Sequence, residues 1–167
     1  MVVSFTGHRP KDLYGYYNDT AYKAVVQKIK DYLKHLDSRL TVITGGAQGI
    51  DQLAFWAATY LKREGYDVTT VVAVPFKGQE LRWVRDGHFG QTEYNLMLKL
   101  ADEVVYLSDN SNNAIQKLDD RNHWMVDHSD LLCCVTPHDD IATRKGGTGN
   151  CLRYAIKNKH PYFILKI

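Results

Sequence analysis

Apolar residues along this chain fall into short β-rich runs, separated by longer stretches in which they recur every three or four positions. The runs are Val2–Thr6, Leu40–Thr44, Val68–Val74, Glu103–Leu107, Leu131–Val135 and Tyr162–Ile167. Most are nearly continuous in apolar character, as strands covered by helices on both faces require. Between the first two runs, Ala21, Val25, Ile29, Tyr32, Leu33 and Leu36 line one side of a helix, and Asn18 to Thr20 supply an N-cap. After the second run, Ile50, Leu53, Ala54, Ala57, Ala58 and Leu61 form another stripe, with Gly65 where a helix ends. Further helices are expected within Glu80–Leu100, around Leu118–His128 and across Asn150–Lys157. Ser108–Ala114 and His138–Gly147 read as loops.

Strand and helix alternate throughout, which implies right-handed crossovers and a parallel sheet. The expected fold class is α/β: a single Rossmann-like three-layer domain over residues 1–167, with a mainly parallel sheet of about six strands. Ligands of such sheets bind beyond the carboxyl ends of the strands, near the point where strand order reverses.

Composition narrows the picture. At 167 residues the chain fits one domain, and 44% hydrophobic with 24% charged residues is ordinary globular usage. Its formal charge is +2, from 21 basic and 19 acidic residues, too even for a nucleic-acid surface spread over the whole molecule. Cys133, Cys134 and Cys151 show neither C-x-x-C nor zinc-like spacing; they are expected to be reduced and buried, as suits a cytoplasmic protein. Residues 1–7 read as a first strand rather than a signal peptide, and no apolar stretch is long enough to span a bilayer. No metal-ligand set or cofactor motif is visible, Asp119-Asp120 and Asp139-Asp140 reading as loop and helix-start chemistry.

The candidate chemistry sits just after the strands. Gly7-His8-Arg9-Pro10 follows the first and Thr44-Gly45-Gly46-Ala47-Gln48-Gly49-Ile50-Asp51 closes the second. Arg121-Asn122 precede the fifth, and Lys145-Gly146-Gly147-Thr148-Gly149-Asn150 follow it. Glycine lets backbone approach a ligand closely, and a helix N-terminus favours phosphate through unpaired N–H groups and partial positive charge. Thr44 and Thr148 add hydroxyls. Each turn alone is equally explained by tight strand-to-helix geometry; both at one sheet edge point to phosphate. Asp51 either caps the second helix or meets a ribose hydroxyl. Arg9 either clamps a phosphate or carboxylate or forms a surface ion pair, and His8 either joins it or bonds backbone. Arg144 and Lys145 read as solvated charges before ligands. Tyr14, Tyr16 and Tyr17 either stack on a base, or cover the sheet or form a dimer surface; Trp56, Trp83 and Trp124 read as packing.

These segments together resemble the SLOG superfamily, which groups LOG-type phosphoribohydrolases, DprA and the YpsA-like proteins of bacteria and their phages. The resemblance is nearest to the YpsA-like branch. It runs through Thr6-Gly7-His8-Arg9-Pro10, Thr44-Gly45-Gly46-Ala47 with Gly49 and Asp51, Pro75-Phe76, Arg121-Asn122, Met125-Val126-Asp127, Ser129-Asp130 and Gly146-Gly147-Thr148. It implies a nucleotide-binding Rossmann-like domain and a homo-oligomer, with dimers the family expectation. In the hydrolase branch an arginine before the fifth strand and a glutamate after the glycine turn serve glycosidic cleavage. Arg121 falls at the first position, but Arg153 stands at the second. Loss of that carboxylate removes a group that would stabilise an oxocarbenium-like state or activate water, unless Glu80 or Asp127 replaces it in space.

The function expected is therefore binding or sensing of a nucleotide or nucleotide-derived phosphate ligand, without a separate cofactor. The ligand would be held by Gly7, His8, Arg9, Thr44, Gly45, Gly46, Ala47, Gly49, Asp51, Arg121, Asn122, Gly146, Gly147, Thr148 and Gly149. A nucleoside monophosphate phosphoribohydrolase using Arg121 is the alternative. Single-stranded DNA binding of the DprA kind comes after both, because the charge balance disfavours a basic stripe.

Overall fold

The computed structural model describes residues 1–167. Its six strands are β1 (Val2–Gly7), β2 (Arg39–Thr44), β3 (Asp67–Val74), β4 (Glu103–Tyr106), β5 (Leu131–Thr136) and β6 (Tyr162–Lys166). Its α-helices are α1 (Asp19–Lys34), α2 (Ile50–Arg63), α3 (Gln91–Leu100), α4 (Ala114–Asp127) and α5 (Gly147–Lys157), with a short 3-10 turn at Pro10–Asp12. All strands join one sheet in the order β4-β3-β2-β1-β5-β6, and every neighbouring pair is parallel. The chain starts at the centre, moves outward through β2, β3 and β4, then returns to place β5 on the other side of β1. Strand order therefore reverses between β1 and β5, where Thr6 pairs with Cys134 and Gly7 with Val135.

Alternation along the central strands divides the core. Val3, Phe5, Cys133 and Val135 pack with α1 and α2, whereas Leu132 and Cys134 pack with α4 and α5. Burial pushes the Cys134 and Cys151 thiols up to about 12, so both stay protonated and act as small apolar side chains. No helix is long and apolar enough to cross a membrane.

Local sequence accounts for the boundaries. Asn18 Oδ1 accepts the Ala21 N–H at 3.1 Å and opens α1, whose stripe Tyr22, Val25, Ile29 and Leu33 is buried. Past α2, Gly65 N–H donates to Lys62 O at 3.1 Å and Tyr66 N–H to Leu61 O at 3.2 Å, the paired bonds of a glycine-terminated helix. α3 lies within Glu80–Leu100 as expected, in its second half: the chain turns at Gly87 and Phe89, both at positive φ, and Glu93 accepts the Phe89 N–H at 2.9 Å and fixes the start. Two other elements differ from expectation. α4 begins one turn earlier than Leu118, after left-handed Asn113. α5 begins at Gly147, so Gly147 and Gly149 lie inside its first turn and not in the preceding loop.

Candidate functional site

A cavity of about 470 Å³ opens at the carboxyl edge of the sheet, beside the β1–β5 reversal. Only three of its 20 lining residues are hydrophobic, so its walls are dominated by polar and charged groups. One wall is the end of β1 and the turn after it: Thr6, Gly7, His8, Arg9, Lys11 and Asp12. A second is α4, which presents Ile115, Leu118, Asp119 and Asn122 at helical spacing. The third is the strap 138–147 with the start of α5, bringing His138, Arg144, Lys145, Gly146, Gly147, Thr148 and Asn150.

Ala47, Asp51 and Arg121 also line the cavity. Arg121 is only 5% exposed. Its Nη1 donates to Asp51 Oδ2 at 3.2 Å and its Nε to Asn122 Oδ1 at 3.0 Å, while Asp51 Oδ2 also accepts the Ala47 N–H at 3.3 Å. Burial raises the Asp51 carboxyl above the ordinary carboxylate range, with Arg121 the main group opposing it. Asp51 is thus not the N-cap of α2, a place taken by Gly49; it is the buried counter-ion of Arg121, and it lines the cavity.

That pair explains the first glycine turn. A Cβ on Gly45 would lie 1.5 Å from Arg121 Nη1, so the glycine is the slot that admits the guanidinium. Gly46 faces Tyr94, Val72 and Met97, and Gly49 faces the His8 carbonyl, 2.3 Å from where its Cβ would sit. Thr44, Gly45, Gly46 and Gly49 therefore lie beneath the wall and not on it, and Thr44 Oγ1 is buried without a partner. Gly149 is likewise under the strap, with Arg144 O 2.3 Å from its Cβ position.

The second turn is different. Gly146 has φ +112° with nothing within 4 Å of its Cβ position, and Gly147 would meet only Asn122 Nδ2 at 3.8 Å. No side chain caps α5. Around this open helix N-terminus stand Arg9, Lys11 and Lys145, none of which forms an ion pair, and Arg144, paired with Asp140 at 3.2 Å. The two unpaired carboxylates on the wall are Asp12 and Asp119. His8 Nε2 lies 2.9 Å from Thr136 Oγ1, which also accepts the His138 N–H at 3.1 Å, and the two imidazoles meet edge-on at 4.9 Å. Burial first, then His138, holds His8 below its ordinary value; Arg144 adds to this and Asp12 opposes it.

Tyr14, Tyr16 and Tyr17 do not line the cavity. Tyr14 packs edge-on against Tyr22 and Tyr16 Oη reaches Gln48 Oε1 at 3.4 Å. Glu80 and Asp127, the carboxylates considered as replacements for the hydrolase glutamate, are also absent from the wall, and Asp127 accepts the Tyr154 hydroxyl at 3.1 Å. Sequence reasoning missed Lys11, Asp12, Asp119 and His138, and set Arg144 and Lys145 aside as solvated. The signal for Asp119 was the stripe 115, 118, 119, 122, whose members share a helix face with Asn122.

Over residues 3–167 the sequence matches a family profile described as YpsA, the YspA SLOG family. It is similar to the SPbeta prophage-derived protein YoqJ of Bacillus subtilis, 33% identical over 131 residues that make up 72% of each chain. It is similar also to a UPF0398 protein of Ligilactobacillus salivarius, 28% identical over 169 residues, covering 99% of this chain and 90% of the relative. Among solved structures, DNA processing protein A (DprA) from Streptococcus pneumoniae resembles it with a TM-score of 0.61 at 14% identity. That likeness covers 97% of this chain but 49% of the other, so the chain spans about half of that protein's length, and it establishes the shared fold alone.

Proposed function

The chain belongs to the YspA SLOG family, and from that membership we propose that its cavity binds a nucleotide or nucleotide-derived phosphate ligand, as a binding or sensing domain. One observation carries this reading: Gly146 and Gly147 leave open space at the uncapped N-terminus of α5, facing the unpaired cations Arg9, Lys11 and Lys145. Exposed N–H groups, the positive end of a helix and nearby cations together favour a phosphate dianion. The polar walls and the cavity of about 470 Å³ suit a ligand of nucleotide size. Arg153 at the hydrolase glutamate position supports binding over cleavage, and the near-even charge of the chain supports a small ligand over single-stranded DNA.

A specific observation favours one second reading, N-glycosidic hydrolysis. Asp119 is a carboxylate on the cavity wall without an ion-pair partner. In that reaction it would take the proton of a water attacking the ribose anomeric carbon, and the base would leave with a proton from solvent.

The deciding experiment incubates the protein with a panel of nucleoside monophosphates and NAD. Calorimetry follows binding and chromatography follows free base. Saturable binding of one ligand without base release is the expected result. Base release that vanishes in Asp119→Asn makes the protein a hydrolase, and no binding across the panel overturns the nucleotide reading.

A further inference from the structure

The phosphate-facing strap is tied at its start by Lys166, whose Nζ donates to Pro137 O at 3.2 Å and pairs with Asp139 at 2.5 Å; past that point it is held by its own turn, by Ile141 and by one side chain of α5. Residues 140–144 close on themselves: Thr143 N–H and Arg144 N–H both donate to Asp140 O, at 3.0 and 3.2 Å, and Thr143 Oγ1 donates to the same carbonyl at 2.9 Å. Ile141 anchors the turn in the apolar cluster of β5 and α5. The outward carbonyls of the strap are met from α5. Arg153 Nη1 donates to Ala142 O at 2.9 Å and to Arg144 O at 2.8 Å, and its Nη2 donates to Asn150 Oδ1. Gly149, one turn before Arg153, supplies the clearance that lets the strap lie against the helix, its Cβ position being 2.3 Å from Arg144 O and 3.1 Å from Arg153 Nη1.

From this geometry we infer that Arg153 is a positioning residue for the ligand: it pins the strap to α5 in the shape that points Lys145 and the first turn of the helix into the cavity. The inference rests on the phosphate reading above and adds a residue that touches no ligand, since Arg153 does not line the cavity. A planar guanidinium suits the task because its fork of N–H donors reaches two carbonyls and an amide oxygen at once. Glutamate has no donor to offer those carbonyls. The position that carries a carboxylate in the phosphoribohydrolases this family resembles is thus given over to shaping the site. A strap ordered in advance spares the ligand the entropy of ordering it, so the role is exerted on affinity.

The test compares wild-type protein with Arg153→Gln and Arg153→Lys. Amide hydrogen exchange reads the strap peptides, calorimetry reads affinity for inorganic phosphate and for adenosine monophosphate, and circular dichroism checks that each variant is folded. In Arg153→Gln, exchange across 141–147 rises and adenosine monophosphate affinity falls by about tenfold, the scale expected when a preorganised loop is released. Arg153→Lys, which keeps a donor but not the fork, falls between, and it alone carries the comparison if the glutamine variant does not fold. Unchanged exchange in the variants overturns the inference, and so does faster exchange with unchanged affinity. Wild-type protein that binds neither probe overturns the phosphate reading itself, an outcome distinct from variants that bind as the wild type does.

Discussion

Gly45 and Arg121 meet at a point where no other residue type fits opposite a guanidinium. Any side chain on Gly45 places its Cβ 1.5 Å from Nη1, the nitrogen that donates to Asp51, so the guanidinium must leave Asp51 and swing towards the cavity it lines. Gly45→Ala is therefore expected to break the buried pair and cost about 3–5 kcal/mol, the usual penalty for uncoupling buried charges. Urea titration checks it as a lowered midpoint at unchanged slope, and a variant as stable as the wild type would remove the slot from the account. The sequence showed a glycine before a helix and an arginine seventy-odd positions later; no local rule links the two. The residue types were legible, their partnership was not, because a buried ion pair is set by which strands and helices become neighbours.

At the scale of elements, the two strand-to-helix turns look alike in sequence and differ in use. The turn into α2 is interleaved with the end of β1, where Ile50 N–H donates to His8 O at 3.2 Å. The turn into α5 leaves its glycines open. Gly147→Ala separates the two uses. Its methyl would meet only Asn122 Nδ2 at 3.8 Å and the residue is already helical, so stability is retained or rises by about 0.4–1 kcal/mol. Affinity for a nucleoside monophosphate nonetheless falls, since the methyl stands where a phosphate oxygen approaches. Calorimetry and thermal melting on one preparation read both; undiminished affinity would move the phosphate away from α5. The strands were placed to within a residue because continuous apolar runs between turns admit few alternatives. α3 lies within the span expected for it, and its start is set by Gly87 and Phe89, where positive φ turns the backbone ahead of the helix.

For the whole molecule, the site exists because the chain reverses direction once. β5 returns to lie beside β1, which sets His8 against Thr136 and His138 and brings the strap over both. Crowding there has a consequence for global stability. Burial and His138 hold His8 below its ordinary 6.5, so as pH falls the unfolded chain takes up this proton before the folded one. The stability contributed by neutral His8 is complete above 6.5, declines as pH drops below that value, and levels off below the depressed folded value. His8→Gln is expected to lose that part of the slope, measured as unfolding free energy across a pH series; equal slopes would show that His8 titrates alike in both states. Sequence alone determined the α/β class, the parallel sheet, the family resemblance and the polar segments at one sheet edge, because periodicity and strand-to-turn order are properties of the chain read locally. Tertiary structure decided which glycines are slots for protein and which face open space, that Asp51 is the counter-ion of Arg121, that Lys145 and Asp119 line the cavity, and that Arg153 meets the strap carbonyls. Those assignments depend on which atoms face one another across β1, α4 and α5, and that follows from packing between segments far apart in the chain.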